Sequence, residues 1–155
     1  MSSYVYAFDL SMSNTGIAIF DLKGNIEKVC SIATKDKDSH GKRLKVIADF
    51  ILDLKSNYPV DKIIIERGFA RFNISTAVIY RVHGIVNYLF WDSEQVYYPP
   101  KTVKAEILGG KSTKKELKQE IESRYPNVCF ENEDESDATA VGLTYFIKKK
   151  IINWR

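Results

Sequence analysis

Hydrophobic and polar positions at the start of the chain fall into short alternating runs. Residues 4 to 11 and 15 to 21 are apolar and rich in β-formers, and the polar segment "SMSN" separates them. After the turn pair Lys23–Gly24, "NIEKVCSIAT" (25 to 34) alternates well enough for a third strand. These three runs predict an antiparallel meander. The period then changes. Across 39 to 57, Leu44, Ile47, Ala48, Ile51 and Leu54 recur at helical spacing, with Ser39 as the candidate cap and Pro59 as the stop. "VDKIIIERG" (60 to 68) is a short apolar run, read as a buried parallel strand ending at Glu66. Residues 73 to 92 form a helix that is apolar on nearly all sides, which predicts burial on both faces.

The second half of the chain continues in the same manner. "EQVYYPP" (94 to 100) is a fifth strand stopped by two prolines, and Pro100 opens a short helix through Leu108. Gly109 and Gly110 break that helix. Residues 112 to 125 predict another, with Ser112 opening a capping box. A last helix is expected from about 134 to 150, with Ala138, Val141, Tyr145 and Phe146 inward. The order βββ-α-β-α-β-α-α predicts an α/β fold: one mixed five-stranded sheet, three antiparallel strands then two parallel, with helices on both faces. No repeat or linker interrupts the pattern, so 1–155 is expected to be a single domain.

Composition narrows the class. No apolar run reaches the roughly 18 residues a membrane span needs. The start, "MSSYVYAFD", lacks the features of a signal peptide. Cys30 and Cys129 cannot build a disulfide framework, and no Cys/His cluster suggests zinc. The expected setting is reducing and cytoplasmic. Net charge is only +3, but it is unevenly spread. Lys101, Lys104, Lys111, Lys114, Lys115 and Lys118 are close in sequence, and acids concentrate in "ENEDESD" (131 to 137). That distribution is compatible with an ordinary solvated surface. It also suits a nuclease, in which cations hold phosphates and carboxylates hold metal.

The acids give the sharper signal. Asp9 lies in the middle of the first apolar strand, where an unpaired carboxylate is costly. Glu66 closes the fourth strand. If the two strands are neighbours, both side chains point to the end of the sheet where α/β proteins bind ligands. Asp134 and Asp137 are three apart at the start of the last helix and so share a face. Convergence of the four would demand cations. An oxygen-only donor set suits Mg²⁺ or Mn²⁺, and two such ions about 3.5–4 Å apart stabilise both the attacking and the leaving oxygen of a phosphodiester. Each acid also has a plainer reading. Asp9 can accept N–H bonds from the "SMSNTG" turn, Glu66 can pair with Arg67 or Arg71, and Asp134 and Asp137 can be ordinary helix N-terminal acids. Element order favours convergence.

The motifs resemble the RuvC-type Holliday-junction resolvases of the RNase H-like nuclease superfamily, nearly end to end. "FDLSMSNTGIAIF" resembles the opening strand, turn and second strand with its Asp, and Gly16 is retained. "IIIERGFARFN" resembles the segment with the catalytic Glu, followed three residues on by an aromatic that enters the junction: here Glu66 and Phe69. In "TVKAEILGGKSTKKEL", Lys104 and Lys115 fall where the family has functional lysines. "DESDATAVGL" resembles the closing D-x-x-D-A helix start, at Asp134 and Asp137. The turn after Asp9 departs from the family's Pro-Gly-rich form, in the direction of the phage-encoded members that act without a branch-migration helicase.

The resemblance implies a metal-dependent endodeoxyribonuclease that resolves four-way and related branched DNA by paired symmetric nicks, leaving 5′-phosphate and 3′-hydroxyl ends. It implies Asp9, Glu66, Asp134 and Asp137 as catalytic metal ligands for two Mg²⁺ ions per site, Mn²⁺ substituting. Asp9 would bridge both ions, Glu66 and Asp137 would each complete one, and Asp134 would act directly or through water; Glu135 is the substitute should the helix register shift. It further implies a homodimer through helix 73–92, the alternative being that this helix lies under a monomer's core. The setting would be a bacterial cell or a phage-infected host cell. Arg67, Phe69, Arg71, Lys104, Lys111, Lys114 and Lys115 are the candidate DNA contacts. Phe69 would stack on unpaired bases, its other reading being a core residue, and Arg67 would otherwise brace Glu66. His83 is expected to be packed or at an interface.

"GGKST" is not a P-loop, because Ala105 stands where the template needs glycine and a helix precedes it. Two rival functions remain: an RNase H-like nuclease acting on RNA–DNA hybrids or flaps, and a non-catalytic junction-binding protein.

Overall fold

The computed structural model describes residues 2–67, 74–109 and 113–154. The three antiparallel strands are β1 (Tyr4–Asp9), β2 (Asn14–Phe20) and β3 (Ile26–Ala33), followed by α1 (His40–Asn57) and β4 (Val60–Glu66). Then come α2 (Ile74–Leu89), β5 (Glu94–Tyr98), α3 (Pro100–Leu108), α4 (Lys114–Arg124) and α5 (Glu133–Lys148). The strands form one sheet in the order β3-β2-β1-β4-β5, with β1 central, antiparallel to β2 and parallel to β4. Three helices follow β5, at the three places where the residue pattern put them, so the order βββ-α-β-α-β-α-α is short by one helix.

Strand alternation sorts the core into two layers. Val5, Ala7, Ala18, Phe20 and Ile64 face α3, α4 and α5. Tyr6, Phe8, Ile17, Ile19, Ile63 and Ile65 face α1 and α2. The Tyr6 hydroxyl remains satisfied in that layer by the Tyr58 carbonyl at 2.6 Å. Helices cover both faces of the sheet, as the apolar runs of the central strands require.

Helix boundaries follow their caps. The Ser39 side chain accepts from the Lys42 N–H, as expected. For α4 the cap is Thr113, whose hydroxyl accepts from the Glu116 N–H; this corrects the expectation of Ser112, which lies outside the described residues. T-x-x-E at 113–116 is the better capping-box register. Asn132 caps α5 by accepting from the Glu135 N–H. From Glu135 to Phe146 every residue of α5 is buried. Two glycines permit such close packing. A Cβ at Gly142 would lie 2.1 Å from the Phe20 ring, and one at Gly16 would lie 2.0 Å from the Asp134 carbonyl oxygen.

α2 departs from its expected burial on both faces. Val82, Val86 and Phe90 are fully buried, but Ile79, Tyr80 and Tyr88 on the same segment are exposed, Tyr88 at 73%. Within one chain, α2 covers the sheet with one side and leaves an apolar side open. Among the described residues no helix is long and apolar enough to cross a membrane. Cys30 and Cys129 are free thiols.

Candidate active site

Asp9 is the last residue of β1, not a mid-strand residue as the apolar run suggested. It pairs with Gly16 of β2, and the first turn of α5 rests on that pair because Gly16 has no side chain. Glu66 ends the parallel neighbour β4. Two adjacent parallel strands thus finish at the same edge, each on a carboxylate, and α5 crosses there with Asp134 and Asp137 in its first two turns.

The four acids share one region of the sheet edge, near enough to influence one another's charge. The Asp9 carboxyl is pushed up to about 9, first by burial, then by a hydrogen bond with the Asp134 carboxyl and by the charges of Glu66, Asp137 and Asp134. Two carboxyls share a hydrogen bond only when a proton lies between them. Glu66 is raised by burial and by Asp137, against the opposing pull of Lys114 and Lys104. Asp137 is raised by burial, while the bond from Lys114 works the other way.

The opening turn does not neutralise Asp9. Its groups satisfy one another: the Asn14 N–H donates to Ser11 Oγ at 3.1 Å, and Thr15 Oγ1 donates to the Ser11 carbonyl at 2.7 Å. Arg67 does not brace Glu66 either; its guanidinium lies 4.9 Å from the centre of the Tyr97 ring. The plain helix-terminus reading of Asp134 and Asp137 also falls short. Asp134 Oδ2 accepts from Asn14 Nδ2 at 2.7 Å, and Asp137 Oδ2 takes the Lys114 ammonium at 3.1 Å.

Among the described residues, no three His, Cys, Asp or Glu side chains are gathered tightly enough to hold a metal ion as they stand. The donor chemistry nevertheless fits one. The set is oxygen only, it is half-buried to buried, and crowding with burial raises the proton affinity of Asp9, Glu66 and Asp137, so a hard divalent cation would relieve the repulsion among them.

Basic residues flank the acids on one side. A cavity of about 190 Å³ is walled by Glu66, Asp137, Lys104 and Lys114, over an apolar floor that includes Val103 and Leu117. The lysine on Asp137 is Lys114; its neighbour Lys115 is exposed on α4. Phe69, Arg71 and Lys111 lie outside the described residues. His83 is half-buried, with a Tyr80 ring contact, and burial and Arg67 hold it below its ordinary value.

Glu135, the candidate substitute ligand, serves a different purpose. It is buried at 2% exposure, accepts from Ser31 Oγ at 2.6 Å and from the Glu131 N–H at 3.1 Å, and so ties α5 to β3. The residue missed from sequence is Asn14. A polar residue in a polar turn carries no signal of its own. Only its place, at the start of the strand paired with the Asp9 strand, pointed to the site.

The family described as "Crossover junction endodeoxyribonuclease RuvC" matches residues 7–145. No curated protein matches the chain. Among solved structures, Thermus thermophilus RuvC in complex with a Holliday junction substrate gives a TM-score of 0.84 at 18% identity, with 96% of each chain covered. A second Thermus thermophilus RuvC structure gives 0.82 at 17% identity, again with 96% of each chain covered. The fowlpox virus resolvase with substrate Holliday junction DNA gives 0.52 at 14% identity, over 96% of this chain and 99% of that one. At these identities the likeness is one of fold.

Proposed function

The chain belongs to the RuvC family of crossover junction endodeoxyribonucleases, and on that premise we propose that Asp9, Glu66, Asp134 and Asp137 are its catalytic carboxylates. Membership makes it a junction-resolving nuclease that works on branched DNA with divalent cations. The observation that carries the site is that Asp9 and Glu66 end adjacent parallel strands where α5 rests on Gly16 and brings Asp134 and Asp137, a crowding that raises the proton affinity of Asp9. Structural acids are placed to avoid such crowding; sites that bind cations require it.

In this reading the four acids would hold two Mg²⁺ ions, with Mn²⁺ as a substitute. Asp9 would serve both, Glu66 and Asp137 would each serve one, and Asp134 would act directly or through water. When bound, the ions supply activation of water and stabilisation of the leaving oxygen, giving 5′-phosphate and 3′-hydroxyl ends. Lys104 and Lys114 stand beside Glu66 and Asp137, where they would hold the phosphate to be cut. Lys115, Lys111, Arg67 and Arg71 extend the same charge along the DNA, and Phe69 stacks on bases at the branch. No general-base histidine is needed, and neither histidine lies among the acids.

The open apolar side of α2 supports a symmetric dimer, which would present two such sites to two strands and nick them in a pair. The same reading has the enzyme act without a branch-migration helicase, as phage-type members do, because the "SMSN" turn departs from the Pro-Gly-rich form. A panel of four-way junction, linear duplex, RNA–DNA hybrid and flap, each with Mg²⁺, Mn²⁺ or EDTA, tests the activity. The junction should be cut with paired nicks and only with metal; equal cutting of hybrid and junction would overturn the reading. Asp9→Asn should bind the junction and fail to nick it.

A further inference from the structure

We propose that Asn14 is a positioning residue for Asp134, fixing the carboxylate plane that the metal centre requires. The proposal rests on the reading of Asp134 as part of that centre. The Asn14 side-chain amide donates to Asp134 Oδ2 at 2.7 Å. The Asp134 main chain lies against Gly16, the residue paired with Asp9, so its carboxylate leaves a fixed backbone and meets a fixed donor. A carboxylate with one oxygen committed to an amide keeps the other oriented, which is what partners behind metal ligands do.

The amide is rigidly mounted. The Asn14 N–H donates to Ser11 Oγ, and the Ser11 hydroxyl reaches the Asn14 carbonyl, both at 3.1 Å. On the far side of the turn, the Thr34 N–H donates to the Ser13 carbonyl at 2.9 Å, and the Thr34 hydroxyl donates to the Met12 carbonyl. Thr34 is in turn held by buried Arg43, whose Nε donates to its hydroxyl at 2.7 Å. A chain of hydrogen bonds therefore runs from α1 through the turn to Asp134. The unusual "SMSN" turn thereby acquires a role, since its last residue aims a metal ligand.

The test compares Asn14→Asp, Asn14→Ala and Asn14→Ser with the parent and with Asp9→Asn. Asn14→Asp keeps the shape and removes the donor. Mn²⁺ binding is read by calorimetry without DNA, and junction nicking is followed against Mg²⁺ concentration. Melting in EDTA checks folding, and whichever variants melt like the parent decide the matter. The expected result is a loss of Mn²⁺ affinity of about tenfold to a hundredfold. The Mg²⁺ midpoint for nicking should rise to match, and saturating Mg²⁺ should restore most of the rate. Parental Mn²⁺ affinity and Mg²⁺ midpoint in folded Asn14 variants would overturn the proposal, as would a lost rate with unchanged Mn²⁺ affinity. Failure of the metal site itself reads differently: Asp9→Asn would then bind Mn²⁺ and nick like the parent.

Discussion

α2 and α5 are both sixteen-residue helices that pack on the central sheet, on opposite faces. Their sequences mislead in opposite directions. α2 looks like a core helix, yet Tyr80 and Tyr88 stand in solvent. α5 begins with three acids in its first turn, yet it is enclosed from Glu135 to Phe146. The difference lies in side-chain size and polar pairing. α5 carries Gly142 where Phe20 and Ala7 of the sheet come closest, and its buried hydroxyls are satisfied within the helix: Thr139 donates to the Glu135 carbonyl and Thr144 to the Ala140 carbonyl, each at 2.8 Å. Tight burial needs small residues, which look ordinary in a hydrophobicity pattern. The bulky apolar residues of α2 exceed what one sheet face can cover, and the surplus is available to a second copy.

Three substitutions sharpen that contrast, in descending order of effect. Gly142→Val places methyl groups where the Phe20 ring already stands, and should cost about 3 kcal/mol in denaturant melts. Parental stability would show that α5 is free to shift. Asn132→Ala removes both the α5 cap and the 2.9 Å bond from Asn132 Nδ2 to Ser31 Oγ, and should cost about 1 kcal/mol by the same measurement. Replacing Tyr80 and Tyr88 on the open side of α2 with serine should change the stability of the single chain by no more than about 0.5 kcal/mol. In sedimentation at micromolar concentration those two changes should instead convert a dimer to monomers. A monomeric parent would remove the explanation offered for the exposed side.

Much of the frame was legible. The three-strand meander and the placement of the helices follow from period and from proline and glycine punctuation, and the habit of strand ends in α/β sheets pointed to where Asp9 and Glu66 lie. Asp9 was placed mid-strand because Leu10 continues the apolar run, although the chain has already left the sheet there. What stayed hidden were roles set by packing between distant segments. Glu135 reads as one more acid of "ENEDESD", and only the fold shows it turned inward onto Ser31. Lys114 and Lys115 are neighbours of one type, and the helical register alone decides which meets Asp137. Asn14 and Asp134 are far apart in sequence, and no local pattern links them.

A single backbone contact sets how the four acids can move. With Gly16 bare against the Asp134 main chain, α5 lies flush on the strand pair, and Asp134 and Asp137 ride on it as fixtures of a single rod. Any adjustment of the gap between acids is then two against two, helix against strand ends. A cation drawing them together would tug the whole rod, so its arrival should be felt as far away as the Tyr145 end.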